Sequence, residues 1–222
     1  MHRRHAPLLV VLATTAALLS ACAPEPAPGA STPVPSRSET ASATPTPASE
    51  PHLVVTIDGL ELVDGERRES VDFEDGAAVL ALLETATGEA PTMAEFEDPP
   101  GYETDLVRYE WDGISVVTEE GGEGASSHIA VDAVTAGGVP ISSQEGLTIG
   151  STRDEVVAAQ GWDVWDEDGD GVAEYLGVGE QEVPGTTSLS RPGETGIRYV
   201  MFSLADDVVT TINAPANDFS DL

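Results

Sequence analysis

One stretch of this sequence has the residue types and the spacing of a cation-binding loop. It runs from Asp166 to Glu174 and places carboxylates at loop positions 1, 3, 5 and 9. Alternate carboxylates of a tight loop converge on one point, and calcium takes 6–8 oxygen ligands. Gly171, at position 6, permits the sharp turn that such a loop needs. With the backbone carbonyl at position 7 included, the predicted calcium ligands are Asp166, Asp168, Asp170, Val172 and Glu174.

The stretch differs from one kind of calcium loop and resembles another. An EF-hand needs a bidentate Glu at position 12, where this chain has Gly177. The stretch resembles the loops of FG-GAP repeats, which read Asp-x-Asp-Gly-Asp-Gly-x-x-Asp-Leu and then a glycine. This resemblance implies the same four carboxylate ligands, with Glu174 in place of the last Asp. A single copy excludes a propeller, and the alternative is an acidic turn that feeds a strand, since Gly and Asp are common in turns.

The only cysteine lies at the end of an export signal. Two arginines and a short apolar run from Leu8 to Leu19 are typical of a secretory signal, and the run is too short to span a bilayer. It ends in Leu19-Ser20-Ala21-Cys22, which resembles the bacterial lipobox. The resemblance implies cleavage after a signal peptide of residues 1–21 and lipidation of Cys22. We therefore expect a lipid-anchored protein on the extracytoplasmic face of the cell membrane, because paired acyl chains anchor stably.

A proline-rich segment follows the predicted anchor. Residues 22–51 carry eight prolines, and most of the others are Ala, Ser, Thr and Glu. Such a composition buries too little apolar surface to offset the entropy of ordering the chain. We predict that this segment is a disordered linker between the lipid and a folded part that begins at residue 52.

The chain is strongly acidic. It contains 40 acidic and nine basic residues, has no lysine, and carries a formal net charge of −31. Such a field argues against nucleic acid as a partner and favours cations or basic partners. The alternative is that the charge serves only solubility or adaptation to salt. From residue 52 onward there is no second long apolar run and no further cysteine, so neither a transmembrane helix nor a disulfide is expected.

The pattern of the folded part indicates two related halves, residues 52–138 and 139–222. The first half contains a hairpin at Asp58-Gly59, a helix over 76–87 and a hairpin at Asp112-Gly113. The second half begins with a capping box at Thr152, which starts a short helix ending near Gly161. Strands are predicted at 53–63, 106–111, 114–118, 128–134, 175–178, 197–204 and 208–212. The predicted fold class is α+β, two tandem repeats with helices packed on one face of an antiparallel sheet.

A family resemblance supports the second repeat. Residues 150–156, Gly-Ser-Thr-Arg-Asp-Glu-Val, with Gly161 after them, resemble the Gly-x-Thr-x-x-Glu-Val…Gly signature of SmpA/OmlA-type lipoproteins. The β-lactamase inhibitory protein family shares that unit in tandem. The resemblance implies a binding or assembly module. Because this chain lacks the cysteines of the inhibitor family, β-lactamase inhibition is not carried over.

Other chemistry finds little support in the sequence. Ser126-Ser127-His128 has no nucleophile elbow beside it and is interpreted as a solvated loop. Trp162 and Trp165 flank the acidic loop and are interpreted as packing that anchors it, with a ligand groove as the alternative. We expect a non-catalytic binding or envelope-assembly module for a protein or envelope ligand. The alternative is a small envelope hydrolase with a carboxylate-based site.

Overall fold

The computed structural model describes residues 50–96 and 104–219. The predicted signal peptide, the predicted lipidation site Cys22 and nearly all of the predicted linker lie outside these residues. No helix among the described residues is long and apolar enough to cross a membrane. In chain order the elements are β1 (His52–Val55), β2 (Gly59–Asp64), β3 (Arg67–Asp72), α1 (Gly76–Thr87), β4 (Thr92–Glu95), β5 (Leu106–Trp111), β6 (Ile114–Glu119), β7 (His128–Val131), β8 (Thr135–Ala136), β9 (Val139–Ser143), α2 (Arg153–Ala158), β10 (Trp162–Trp165), β11 (Tyr175–Glu182), β12 (Ile197–Ala205) and β13 (Val208–Asn217).

The strands form two sheets. The smaller has the order β3-β2-β1-β9-β8, and its β1–β9 pair is parallel. The larger has the order β10-β11-β12-β13-β7-β6-β5-β4 and is antiparallel throughout. β4 to β7 follow α1, and β10 to β13 follow α2. The two groups of four strands join where β13 pairs with β7, so strands from both predicted halves share one sheet.

The predicted α+β fold class is wrong, because the structure is mostly β. Strands account for 46% of the described residues and helices for 11%. α1 has 12 residues and α2 has six, so the helices cannot cover a face of the larger sheet. α1 instead packs against β2 and β3 of the smaller sheet and against β6 of the larger one. The core is continuous from Leu53 in the smaller sheet through Leu83 of α1 to Phe202 in the larger sheet, all fully buried.

Several local predictions are confirmed. α1 begins and ends as expected: the Asp75 side chain accepts a hydrogen bond from the N–H of Ala78, and Gly88 adopts the left-handed conformation. The capping box of α2 is present in both directions between Thr152 and Glu155. The strands that the sequence did not reveal are β3, β4, β8, β9 and β10.

Candidate metal centre

The acidic loop connects β10 to β11 at one edge of the larger sheet. The two strands pair from Trp162↔Gly177 to Trp165↔Tyr175, which leaves residues 166–174 as the loop between them. The carbonyl of Glu174 accepts a hydrogen bond from the N–H of Leu204 in β12, at 2.8 Å. The end of the loop is therefore fixed to a strand beyond its own hairpin.

Aspartate side chains stabilise the bent loop by accepting hydrogen bonds from its own backbone N–H groups. The carboxylate of Asp166 accepts hydrogen bonds from the N–H groups of Gly169 at 2.7 Å and Gly171 at 2.8 Å. Both glycines have positive φ, +75° and +92°, a conformation that other residues adopt only with strain. Asp170 accepts in the same way from the N–H of Val172 at 2.8 Å. These short-range bonds bend the chain so that alternate side chains point to a common centre.

Four carboxylates meet at this centre. One oxygen from each of Asp166, Asp168, Asp170 and Glu174 lies within 4.8 Å of the other three. A cation with oxygen ligands at 2.3–2.6 Å separates opposite ligands by about 5 Å, so the four oxygens fit around a single ion. The cluster could therefore hold a metal ion, and its spacing does not by itself select calcium.

The fifth predicted ligand is the backbone carbonyl of Val172. The N–H of Val172 donates to Asp170, and the Val172 side chain is about half exposed. That its carbonyl ligates a cation stays a prediction.

The surroundings of the loop concentrate negative charge. Asp168 and Asp170 are exposed, and Asp166 and Glu174 are partly exposed. The hydroxyl of Tyr175 donates to the carboxylate of Glu167 at 3.2 Å. Partial removal from water, followed by the negative charge of Glu167, raises the pKa of Tyr175. Anionic groups held this close repel one another, and a bound cation would relieve that repulsion.

The two tryptophans beside the loop behave differently. The indole of Trp162 lies over Gly177, where an added Cβ would come within 2.5 Å of its Cζ2 atom. The same indole meets Tyr199 edge-on, with ring centroids 5.5 Å apart. Trp165, by contrast, is 62% exposed. Trp162 thus packs on β11 and β12, and that it anchors the loop stays a prediction, whereas the interpretation as packing is wrong for Trp165.

Sequence reasoning missed a polar cluster near the same edge. The Asp218 carboxylate accepts hydrogen bonds from the hydroxyl of Ser188, from the hydroxyl of Ser190 at 3.1 Å and from the N–H of Ile197 at 2.7 Å. The guanidinium of Arg191 lies 3.8 Å from the same carboxylate. Serine and aspartate separated by about 30 positions give no local sequence signal, so only the fold could reveal the cluster.

The hydroxyl–imidazole stretch is a solvated loop only at Ser126, which is exposed and lies outside any strand. Ser127 is buried, and its hydroxyl donates to the carbonyl of Phe73 at 3.1 Å. His128 begins β7. The serine thus connects the chain before α1 to the chain before β7.

Comparison of the chain with known protein families, with curated proteins and with solved structures finds no match. The lipobox, the SmpA/OmlA-type signature and the FG-GAP-like loop therefore stay resemblances of short motifs.

Proposed function

We propose that this chain is an extracytoplasmic lipoprotein, tethered to the membrane by lipid on Cys22, whose folded part is a non-catalytic binding module stabilised by calcium. The observation that carries the proposal is the convergence of four carboxylates in one hairpin loop. The tether rests on the lipobox-like end of the apolar run and on the proline-rich residues 22–51.

Calcium is the cation that best fits the chemistry of the loop. All four side-chain ligands are carboxylates, and such hard oxygen donors suit calcium, magnesium and manganese over zinc or copper. Magnesium requires a near-ideal octahedron at 2.0–2.1 Å, whereas calcium accepts flexible geometry with more ligands. A solvent-exposed loop with glycines at 169 and 171 suits the less demanding ion. The Val172 carbonyl and water would complete the coordination.

The role proposed for the ion is structural. The loop closes the hairpin at the edge of the larger sheet, and the cation would neutralise charges that otherwise push the loop open. Exposed sites of this class bind with a dissociation constant of about 10⁻⁴ to 10⁻³ M. At a tenfold excess of calcium over that constant, the folded state would gain about 1.4 kcal/mol.

The Asp218 carboxyl group is not suited to the role of a general acid. A carboxylate-based hydrolase needs one carboxyl with a raised pKa to act as a general acid. Burial alone would raise the pKa of Asp218, but the hydrogen bonds from Ser188, Ile197 and Ser190 and the charge of Arg191 together lower it. Asp218 is thus held as a carboxylate, a form in which it cannot donate a proton.

Calorimetric titration of calcium into the full chain, kept in a nonionic detergent, tests the proposal. We expect saturable uptake and a higher melting temperature, because the ion binds the folded loop and not the unfolded chain. A variant with both Asp168→Ala and Asp170→Ala should lose both effects. A parallel titration with NaCl at the same ionic strength is the control for screening of the net charge. No uptake and no thermal shift at millimolar calcium would reduce the loop to an ordinary acidic turn.

A further inference from the structure

A cleft of about 520 Å³ lies across the outer face of the larger sheet, beside the acidic loop. It extends from β10 over β11 and β12 to the end of β13, and the β11–β12 loop forms one of its walls. In β12 the core residues Val200 and Phe202 alternate with Tyr199, which lines the cleft. Because successive side chains of a strand point to opposite faces, the cleft lies on the side of the sheet away from the core. A cavity of this volume suits a small ligand.

A bulge in β10 brings two tryptophans to this outer face. Trp162 pairs with Gly177 and Trp165 with Tyr175, and the register shifts between Asp163 and Trp165. Gly177 and Tyr175 are two residues apart and share a face, and paired residues of antiparallel strands also share a face. Without the extra residue of the bulge, Trp162 and Trp165 would point to opposite faces. The bulge therefore places both indoles on the cleft side of the sheet.

Three aromatic rings line the cleft, those of Trp162, Trp165 and Tyr199. The rings of Trp162 and Tyr199 meet edge to face, with centroids 5.5 Å apart. Trp165 is largely exposed, so its ring is open to a ligand. The faces of aromatic rings carry partial negative charge and attract cations, and groups of such rings bind quaternary ammonium ions.

Three carboxylates surround the guanidinium of Arg191, which also lines the cleft. The guanidinium lies 3.2 Å from Glu180, 3.6 Å from Glu194 and 3.8 Å from Asp218. Its positive charge is thus more than balanced, and Glu180 and Asp218 line the cleft themselves. This excess of negative charge complements a cation and disfavours an anion.

Hydrogen bonds hold the β11–β12 loop against the end of β13. The N–H of Leu189 donates to the carbonyl of Asp218 at 2.7 Å, and the Ser188 hydroxyl donates to the Asp218 carboxylate. The N–H of Arg191 in turn donates to the Ser188 hydroxyl at 2.8 Å. This wall of the cleft is therefore formed before a ligand arrives, which lowers the entropic cost of binding.

We infer that this cleft binds a small organic cation, a quaternary ammonium ion that lies against the aromatic rings with its charge near Glu180 and Asp218. A primary ammonium is strongly hydrated, whereas the methyl groups of a quaternary ion present apolar surface to the rings. The same ion occurs in zwitterionic lipid headgroups, where a phosphate beside it would be repelled by these carboxylates. The inference rests on the proposed function, since it names the ligand class of that binding module.

The test follows the methyl resonance of three ligands by NMR during titration with the full chain in nonionic detergent. Choline carries the quaternary ammonium, dimethylbutanol is its uncharged analogue with carbon in place of nitrogen, and phosphocholine adds the phosphate of a lipid headgroup. At physiological ionic strength, where the long-range field is screened, we expect choline to bind about tenfold more tightly than either of the others. Detergent without protein is the blank for each ligand.

Variants of Trp165 test the role of the aromatic ring. Trp165→Ala should weaken choline binding about fivefold, because it removes the π face. Trp165→Leu keeps apolar surface without a π face and should weaken binding equally, whereas Trp165→Phe should keep most of the affinity. Met93→Ala, at an exposed apolar residue in β4, is the matched control and should not change the affinity. Trp165 and Met93 are both more than half exposed, so all four variants should keep the melting temperature.

A second pair of variants tests the charge of the cleft. Glu180→Gln should weaken choline binding about threefold, because it removes one carboxylate and leaves the charge of Arg191 less balanced. Glu66→Gln, in the exposed β2–β3 turn, removes the same charge outside the cleft and should have no effect.

Equal binding of choline and dimethylbutanol overturns the inference, because the cleft would then be an apolar site. Tighter binding of phosphocholine than of choline also overturns it, and so does wild-type affinity in Trp165→Leu. An equal loss in Glu66→Gln and Glu180→Gln overturns it as well, because the attraction would then be diffuse. A chain that takes up calcium but does not distinguish the ligands keeps the calcium-stabilised module and loses only this site. A chain that selects choline but takes up no calcium keeps the cleft and loses the metal.

Discussion

At the scale of single residues, the carboxylate of Asp218 is fixed by hydrogen bonds near the β10 edge of the larger sheet. Its side chain is 8% exposed, and it accepts hydrogen bonds from Ser188, Ser190 and the backbone of Ile197. These bonds lower its pKa below the ordinary value of 3.8, although burial acts in the opposite direction. A carboxyl whose pKa is lower in the folded state than in the unfolded chain stabilises the fold only while it is ionised.

Asp218→Asn should therefore destabilise the protein at pH 7, and the difference from the wild type should shrink as the pH falls. The stabilisation is fully present above the unfolded pKa, near 3.8, and is lost as the pH drops through the lower folded pKa. Urea unfolding at pH 7 and at pH 3 measures the difference. Asp64→Asn, at the exposed end of β2, controls for the removal of one negative charge. A difference of the same size at both pH values would contradict this account.

At the scale of elements, α2 is short and depends on its cap. Six residues make too few internal hydrogen bonds for an isolated helix. The Thr152 hydroxyl accepts from the N–H of Glu155, and the Glu155 carboxylate accepts from the N–H of Thr152 at 2.7 Å. The N–H of Arg153 donates to the carbonyl of Asp207, which connects the helix start to the β12–β13 turn.

Thr152→Ala should cost about 1 kcal/mol of folding free energy, as the loss of an N-cap commonly does. Thr152→Ser keeps the hydroxyl and should recover most of that loss. Chemical denaturation of the three proteins measures both values. If the serine variant were as unstable as the alanine variant, the lost methyl packing and not the cap would explain the effect.

The same elements show what the sequence could and could not reveal. α1 was predicted with its true ends because Val79, Leu82 and Leu83 mark a helical face between a capping Asp and a terminal Gly. β3, Arg-Arg-Glu-Ser-Val-Asp, was missed because an exposed edge strand with one apolar residue has no hydrophobic alternation. The carboxylate convergence was predicted because its geometry is local. Arg191 and Asp218 were missed because they meet only through the pairing of distant strands.

At the scale of the whole molecule, the proposed tether and the acidic surface act together. A lipid at Cys22 would hold a chain of net charge −31 close to a membrane, and the proline-rich residues 22–51 would set the distance. An anionic lipid surface repels such a domain. Anchoring would therefore depend on the acyl chains alone.

Cys22→Ala should accordingly move the protein from the membrane fraction of a bacterial host to the soluble extracytoplasmic fraction. Loss of the thiol removes the acceptor of the lipid. Fractionation with mass spectrometry of the N-terminal peptide measures both location and lipid. A variant with Ser38→Ala, in the proline-rich segment, is the matched control. Retention of the Cys22→Ala protein on the membrane after removal of residues 1–21 would contradict the tether.

The β7–β13 pairing has a consequence for how the chain is made. β13 is synthesised after every other described strand, yet it lies in the middle of the larger sheet. Until residues 208–217 emerge, β7 and β12 each keep an open edge, the state in which nascent chains pair with the wrong neighbours. A chain truncated just before this strand would lack a central strand of its larger sheet, not an edge strand.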